Sequence, residues 1–172
     1  MRNRTLTWDN LRKKGFFGPS RCPMCLVEEE TINHLFNSCD WANQIWNWIE
    51  GILRDSNRDR GSIQNTILNW QSNFSNNQRV NGIWKTTPGF LLWTIWKERN
   101  RRIFQDEFRN VEHSKETILT NIQQLVQTKC KMDPNEKLSD RDLLILKRFQ
   151  LEANHSITSL RHQQQPNSEV NR

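Results

Sequence analysis

The chain of 172 residues has no tyrosine, few glycines and few prolines, and only 34% of it is apolar. An ordinary globular chain is roughly 45–50% apolar on a count that includes glycine. One large continuous core is therefore not expected. The longest apolar stretch, residues 89–96, is far short of the ~20 residues that cross a bilayer, so no membrane span is expected. No secretory signal leads the chain, and its cysteine use suits a reducing, intracellular compartment. Catalytic signatures are equally scarce. No adjacent aspartates stand ready to hold a polymerase magnesium. There is no glycine-rich loop to cradle phosphate and no Gly-x-Ser-x-Gly elbow. These absences predict no enzymatic activity.

What is present is concentrated. Three of the four cysteines and one of the four histidines fall within Cys22-Pro-Met-Cys25, His34 and Cys39. Two cysteines two residues apart can grip one ion from a tight knuckle, and His34 and Cys39 can complete a tetrahedron. Zn²⁺ favours four such N/S ligands, and a full set leaves no place for a reactive water. The spacing predicts one structural zinc on Cys22, Cys25, His34 and Cys39. Cys130 is left over as a plain reduced thiol. His113, His155 and His162 stand apart from other ligand types.

The surrounding residues carry a resemblance. They run from Thr5-Leu6-Thr7-Trp8-Asp9-Asn10-Leu11-Arg12-Lys13-Lys14-Gly15 through Cys-Pro-Met-Cys to Glu30-Thr31-Ile32-Asn33-His34-Leu35-Phe36-Asn37-Ser38-Cys39, with Ile45-Trp46 beyond. This pattern resembles the zinc-binding domain that follows the reverse transcriptase in plant LINE-type retrotransposon polyproteins, over about residues 5–53. Lys14 stands where that family usually has Arg before the glycine. A second segment, Trp93-Thr94-Ile95-Trp96-Lys97-Glu98-Arg99-Asn100-Arg101-Arg102-Ile103-Phe104, is similar to one found downstream in the same polyproteins. The resemblance implies a detached carboxy-terminal piece without its polymerase, and residence in the nucleus. The Asp-Gly of an RNase H first strand, often next in such polyproteins, is absent.

Charge divides the chain. The total is +6, with a pI near 9.5, which favours anionic partners. Residues 1–21 hold Arg2, Arg4, Arg12, Lys13, Lys14 and Arg21 against Asp9 alone. Residues 22–53 hold Glu28, Glu29, Glu30, Asp40 and Glu50 and no lysine or arginine. Any phosphate would therefore meet the basic flank, not the finger. Arg99, Arg101 and Arg102 have two readings: a second phosphate grip beside Trp96, or a solvated helix end paired with Glu98 and Asp106.

The fold expected is mainly α: a small zinc-stapled unit, a helical unit and a disordered tail. The segments are a zinc-binding unit over 1–56, a short helix and polar linker over 57–88, helices over 89–152 and a tail over 153–172. A helix to about Leu53 carries the stripe Trp41, Ile45, Trp48, Ile49 and Ile52. Helical spacing favours core packing over base stacking for these tryptophans. Pro88 suits the start of a helix to about Gln105, with 71–89 read as linker. That helix begins so apolar that it must be buried or dock on a partner or a second copy. Ser139-Asp140-Arg141-Asp142 resembles a capping box, ahead of a face formed by Leu143, Leu144, Leu146, Phe149 and Leu151. The functional expectation is a nucleic-acid-binding accessory module, with a protein-interaction or scaffolding module, or a retroelement relic with no function, as the alternatives.

Overall fold

The computed structural model describes residues 5–18, 20–55, 58–70, 74–130 and 138–151. Arg2, Arg4 and the tail expected over 153–172 lie outside them. The described chain is mainly helical: α1 (Trp8–Arg12), a π-turn (His34–Ser38), α2 (Asp40–Leu53), α3 (Ile63–Asn69), α4 (Gln78–Phe104), α5 (Val111–Lys129) and α6 (Asp140–Arg148). Among the described residues there is no strand, only one antiparallel bridge between Arg21 and Glu29.

Short polar side chains set the helix starts. Asn77 accepts from the Val80 N–H at 2.9 Å, and Asn110 from the His113 N–H at 2.8 Å. The Ser139 hydroxyl accepts from the Asp142 N–H and donates to the Asp142 carboxylate. Each removes an orphan donor from a first helical turn. The expected capping box is thus present in α6. Its buried face, however, is Ile145, Leu146, Phe149 and Leu151, while Leu143 and Leu144 are exposed. In α2 the buried stripe centres on Trp41, Ile45, Trp46, Ile49 and Leu53, and Trp48 and Ile52 are only partly covered. The apolar residues of α2 form one wide arc, and the packing of α4, α5 and α6 against it decides which part of that arc is fully covered.

The largest departure is α4. Residues 78–88 are helix, not linker, and Pro88 lies inside it. An interior proline removes one N–H and crowds the carbonyl four residues back. The hydroxyls of Thr86 and Thr87 donate to the Gly82 and Ile83 carbonyls at 2.8 and 2.7 Å in the turn before it. Packing also continues on both sides: Val80, Ile83 and Trp84 are buried before Pro88, and Leu91, Leu92 and Ile95 after it. Helix α5 lies along α4 as a splint, reaching back until the Cys130 sulfur is 2.9 Å from where a Cβ on Gly82 would be. Trp93 stays 55% exposed, so the apolar start of the expected helix is only partly covered.

Contrary to the expectation from composition, the buried apolar residues form one continuous cluster, mostly aliphatic side chains of α2, α4, α5 and α6, to which tryptophans add bulk. Trp46 of α2, Trp70 after α3 and Trp84 of α4 form a chain with centroids 5.4 and 4.7 Å apart, and Phe74 stacks on Trp84 at 4.1 Å. Such rings offer large area and add stacking to burial. Loop 58–62 is clipped onto this layer. Arg58 donates to Asn43 and Asn47 and faces Glu50, and the Asn37 amide donates to the Asp59 carbonyl. Trp84→Ala should cost about 3–5 kcal/mol by urea unfolding, because Trp84 is 1% exposed and touches two rings. Trp93→Ala on the open face should change stability by less than ~0.5 kcal/mol.

Candidate metal centre

Cys22, Cys25, His34 and Cys39 come together: their ligand atoms all lie within 4.8 Å of one another. The Cys22 and Cys39 sulfurs are 4.0 Å apart, and the Cys25 sulfur is 3.3 Å from His34 Nε2. A disulfide would need about 2.05 Å, so Cys22 and Cys39 are free thiols. Zinc bonds of about 2.3 Å to sulfur and 2.0–2.1 Å to nitrogen give tetrahedral edges of about 3.5–3.8 Å. The cluster therefore fits that ion with little adjustment.

The backbone explains the convergence. Residues 20–30 fold back on themselves, with the Glu30 N–H on the Ser20 carbonyl and the Cys22 N–H on the Glu28 carbonyl, both at 2.7 Å. Leu26 takes a left-handed φ of 59° to close the knuckle. His34 and Cys39 are five residues apart, about 500° around an α-helix, which would set them on different faces. The π-turn removes this mismatch. The Cys39 N–H reaches the His34 carbonyl at 2.8 Å, and widened turns of this kind recur at functional sites.

Several residues before Cys39 hold the turn in place. The Thr31 hydroxyl accepts the His34 N–H at 3.0 Å, capping the turn. Asn33 accepts from the Ile63 N–H and donates to the Gly61 carbonyl. Leu35 and Phe36 are buried, and the Phe36 carbonyl accepts from the Trp46 indole at 2.8 Å. Cys39 is itself the N-cap position of α2.

The electrostatics suit a cation. The Cys22 thiol is pushed down to about 5, first by its hydrogen bond with Cys39. That same bond pushes Cys39 up, and burial adds to the rise. The pair thus keeps one proton, which a metal ion would displace. The other ring nitrogen of His34, Nδ1, lies 3.1 Å from the Glu28 carboxylate, without the alignment of a full hydrogen bond. This leaves Nε2 for the metal and a carboxylate to steady the ring.

Two arginines of α4 lock the knuckle. Arg99 pairs bidentately with Glu30 at 2.8 and 2.9 Å, and both side chains are nearly buried. Glu30 also accepts the Trp8 N–H, so one carboxylate joins α1, the finger and α4. Arg102 donates to the Pro23 and Met24 carbonyls inside the Cys-x-x-Cys turn and to Glu98. Arg101 also pairs with Glu98, at 2.7 Å. The donors of the three arginines considered for phosphate are therefore engaged within the chain. Arg99 is 5% exposed, so a phosphate would have to displace Glu30. Arg12, Lys13 and Lys14 are exposed, and Arg12 pairs with Glu29. Glu28, Glu30 and the clamp role of Arg102 escaped sequence reasoning. Glu30 and Arg99 each stood in a quoted motif, but 69 positions separate them.

Arg99→Ala would strand a buried carboxylate and should cost about 3–5 kcal/mol in chemical unfolding. Arg102→Ala should weaken metal retention about tenfold against a competing chelator, because the Cys22–Cys25 turn loses its clamp. Glu98 is a second test. Burial alone would raise its carboxyl, but the Arg109 N–H and the guanidiniums of Arg102 and Arg101 outweigh it, so its pKa is lowered. Its contribution is full above its ordinary value of 4.5 and is lost as the pH falls through the lowered folded value. Glu98→Gln should flatten the stability profile in that acid window.

No curated protein and no solved structure matches the chain. Residues 1–46, which contain all four clustered side chains, match the family described as zinc-binding in reverse transcriptase.

Proposed function

We propose that this chain is a non-catalytic, zinc-stapled accessory module of a plant LINE-type retrotransposon polyprotein, and that it binds nucleic acid through its basic lead-in. The closed ligand set carries the reading. Three thiols and one imidazole within 4.8 Å fill a zinc tetrahedron and leave no coordination site for substrate. One ion, with a structural role, follows from that donor set. The family match over residues 1–46 supports the origin. So does the second similar segment, whose Arg99 and Arg102 bond to the finger. Phosphate contacts fall to Arg12, Lys13 and Lys14, with Arg2 and Arg4 preceding them in the chain. Such an origin would place the chain in the nucleus. A second reading, self-association through the helix at 89–104, rests on Trp93 and Phe104, which are 55% and 75% exposed.

Metal analysis should return one zinc per chain. Chelation should abolish the helical signal of α2, since structural zinc supplies on the order of 10 kcal/mol to such small units. Acidification should release the ion as the cysteines take up protons. The zinc-loaded chain should bind labelled nucleic acid at micromolar concentration in low salt and weaken steeply as salt rises. Replacing Arg12, Lys13 and Lys14 by glutamine should remove most of that binding. Absence of binding at low salt, together with a dimer in sedimentation that Trp93→Ala dissolves, would favour the second reading.

A further inference from the structure

The loop that joins α1 to the knuckle combines two features that do not ordinarily occur together. It is anchored at both ends, yet it leaves two aromatic rings in water. At the α1 end the Phe16 N–H donates to the Leu11 carbonyl and the Gly15 N–H to the Arg12 carbonyl. Gly15 sits at a left-handed φ of 84°. This pair of bonds around a left-handed glycine is the Schellman closure of a helix. At the other end, Gly18 lies against Trp8, where a Cβ would come within 2.9 Å of the indole. Between these anchors Phe16 is 56% and Phe17 is 97% exposed. The Phe17 ring therefore contributes almost nothing to holding the loop, and the Phe16 ring is covered over less than half of its surface.

Their neighbours are cations. Lys13 and Lys14 immediately precede Gly15, Arg21 follows the loop, and all three are exposed. The nearest acids in sequence are Asp9 and Glu28 to Glu30. Of these, Glu29 is engaged by Arg12, and Glu30 by Arg99 and the Trp8 N–H.

We infer that Phe16 and Phe17 form a stacking platform for unpaired bases, and that Lys13, Lys14 and Arg21 hold the adjoining phosphates, so that the site takes single-stranded nucleic acid in preference to duplex. Cations alone do not distinguish the two, because both present phosphates. A free phenyl face does, because a duplex keeps its base faces stacked inside, whereas a single strand offers them. No side chain here is arranged to read a base edge, so sequence preference should be slight. The inference rests on the nucleic-acid reading above and narrows its substrate.

The test uses the full chain purified with zinc. Fluorescence anisotropy follows a labelled uridine 20-mer, a thymidine 20-mer and a 20-base-pair duplex at two salt concentrations. Phe17→Ala is the main variant, since a residue 97% exposed can be changed without disturbing the fold. Phe16→Ala/Phe17→Ala is the second. Single strands should bind about tenfold more tightly than duplex. Phe17→Ala should erase most of that difference and leave the salt slope unchanged. Lys13→Gln/Lys14→Gln should lower the single-strand slope by about 1.4. Equal binding of single strand and duplex, or full single-strand affinity in both phenylalanine variants, overturns the platform alone. No binding of any nucleic acid at low salt overturns the parent reading as well. Loss of self-association in Phe17→Ala with nucleic-acid affinity unchanged would assign the rings to protein docking and also overturn it.

Discussion

Four side chains must share one small space, and most of the amino-terminal half is shaped by that demand. Three thiols and an imidazole lie within 4.8 Å of one another. Deprotonated for metal, the thiols repel, and only a cation at their centre makes the arrangement favourable. The backbone accepts two uncommon conformations to bring them there: a left-handed Leu26 in the knuckle and a π-turn at His34–Ser38. Neither has a reason apart from the convergence. The asparagines, the capping threonine and the ion pairs around the site hold those conformations in place.

The interior is also more polar than its size would suggest. Glu30, Glu98, Arg58 and Arg99 are all buried. Each is paired, because a lone buried charge is far costlier than the pair. These pairs join segments distant in the chain: Glu30 to Arg99, and Arg102 to the carbonyls of the knuckle. The chain thus obtains specific long-range joins from charge, while stacked tryptophans add bulk to a mainly aliphatic core. The same economy explains why the arginines of α4 have little to offer a phosphate.

Much of this could be read in one dimension. The ligand set is local, and metal coordination restricts spacing severely, so Cys22, Cys25, His34 and Cys39 stand out. The capping box at Ser139 is local too. The start of α4 was harder. Asn77 is a good cap, and Val80, Ile83, Trp84, Leu91 and Ile95 follow a helical period. Pro88 is a strong local stop signal, and packing on both sides of it, with α5 alongside, overrides it. The buried faces of α2 and α6 were misplaced by a residue or two, because the wide apolar arc of α2 and the apolar residues around α6 leave the choice to their neighbours.

From its sequence alone the chain was bound to be helical, to gather one metal site near its amino terminus and to set a basic lead-in ahead of that site. Those properties depend on residue type and short spacing, which folding does not alter. Tertiary structure alone decided which arginines face water and which are spent on carboxylates, because that depends on pairs some 69 or more residues apart. It also decided that the finger leans on α4 rather than standing by itself, since the Pro23 and Met24 carbonyls take their donor from Arg102, far along the chain.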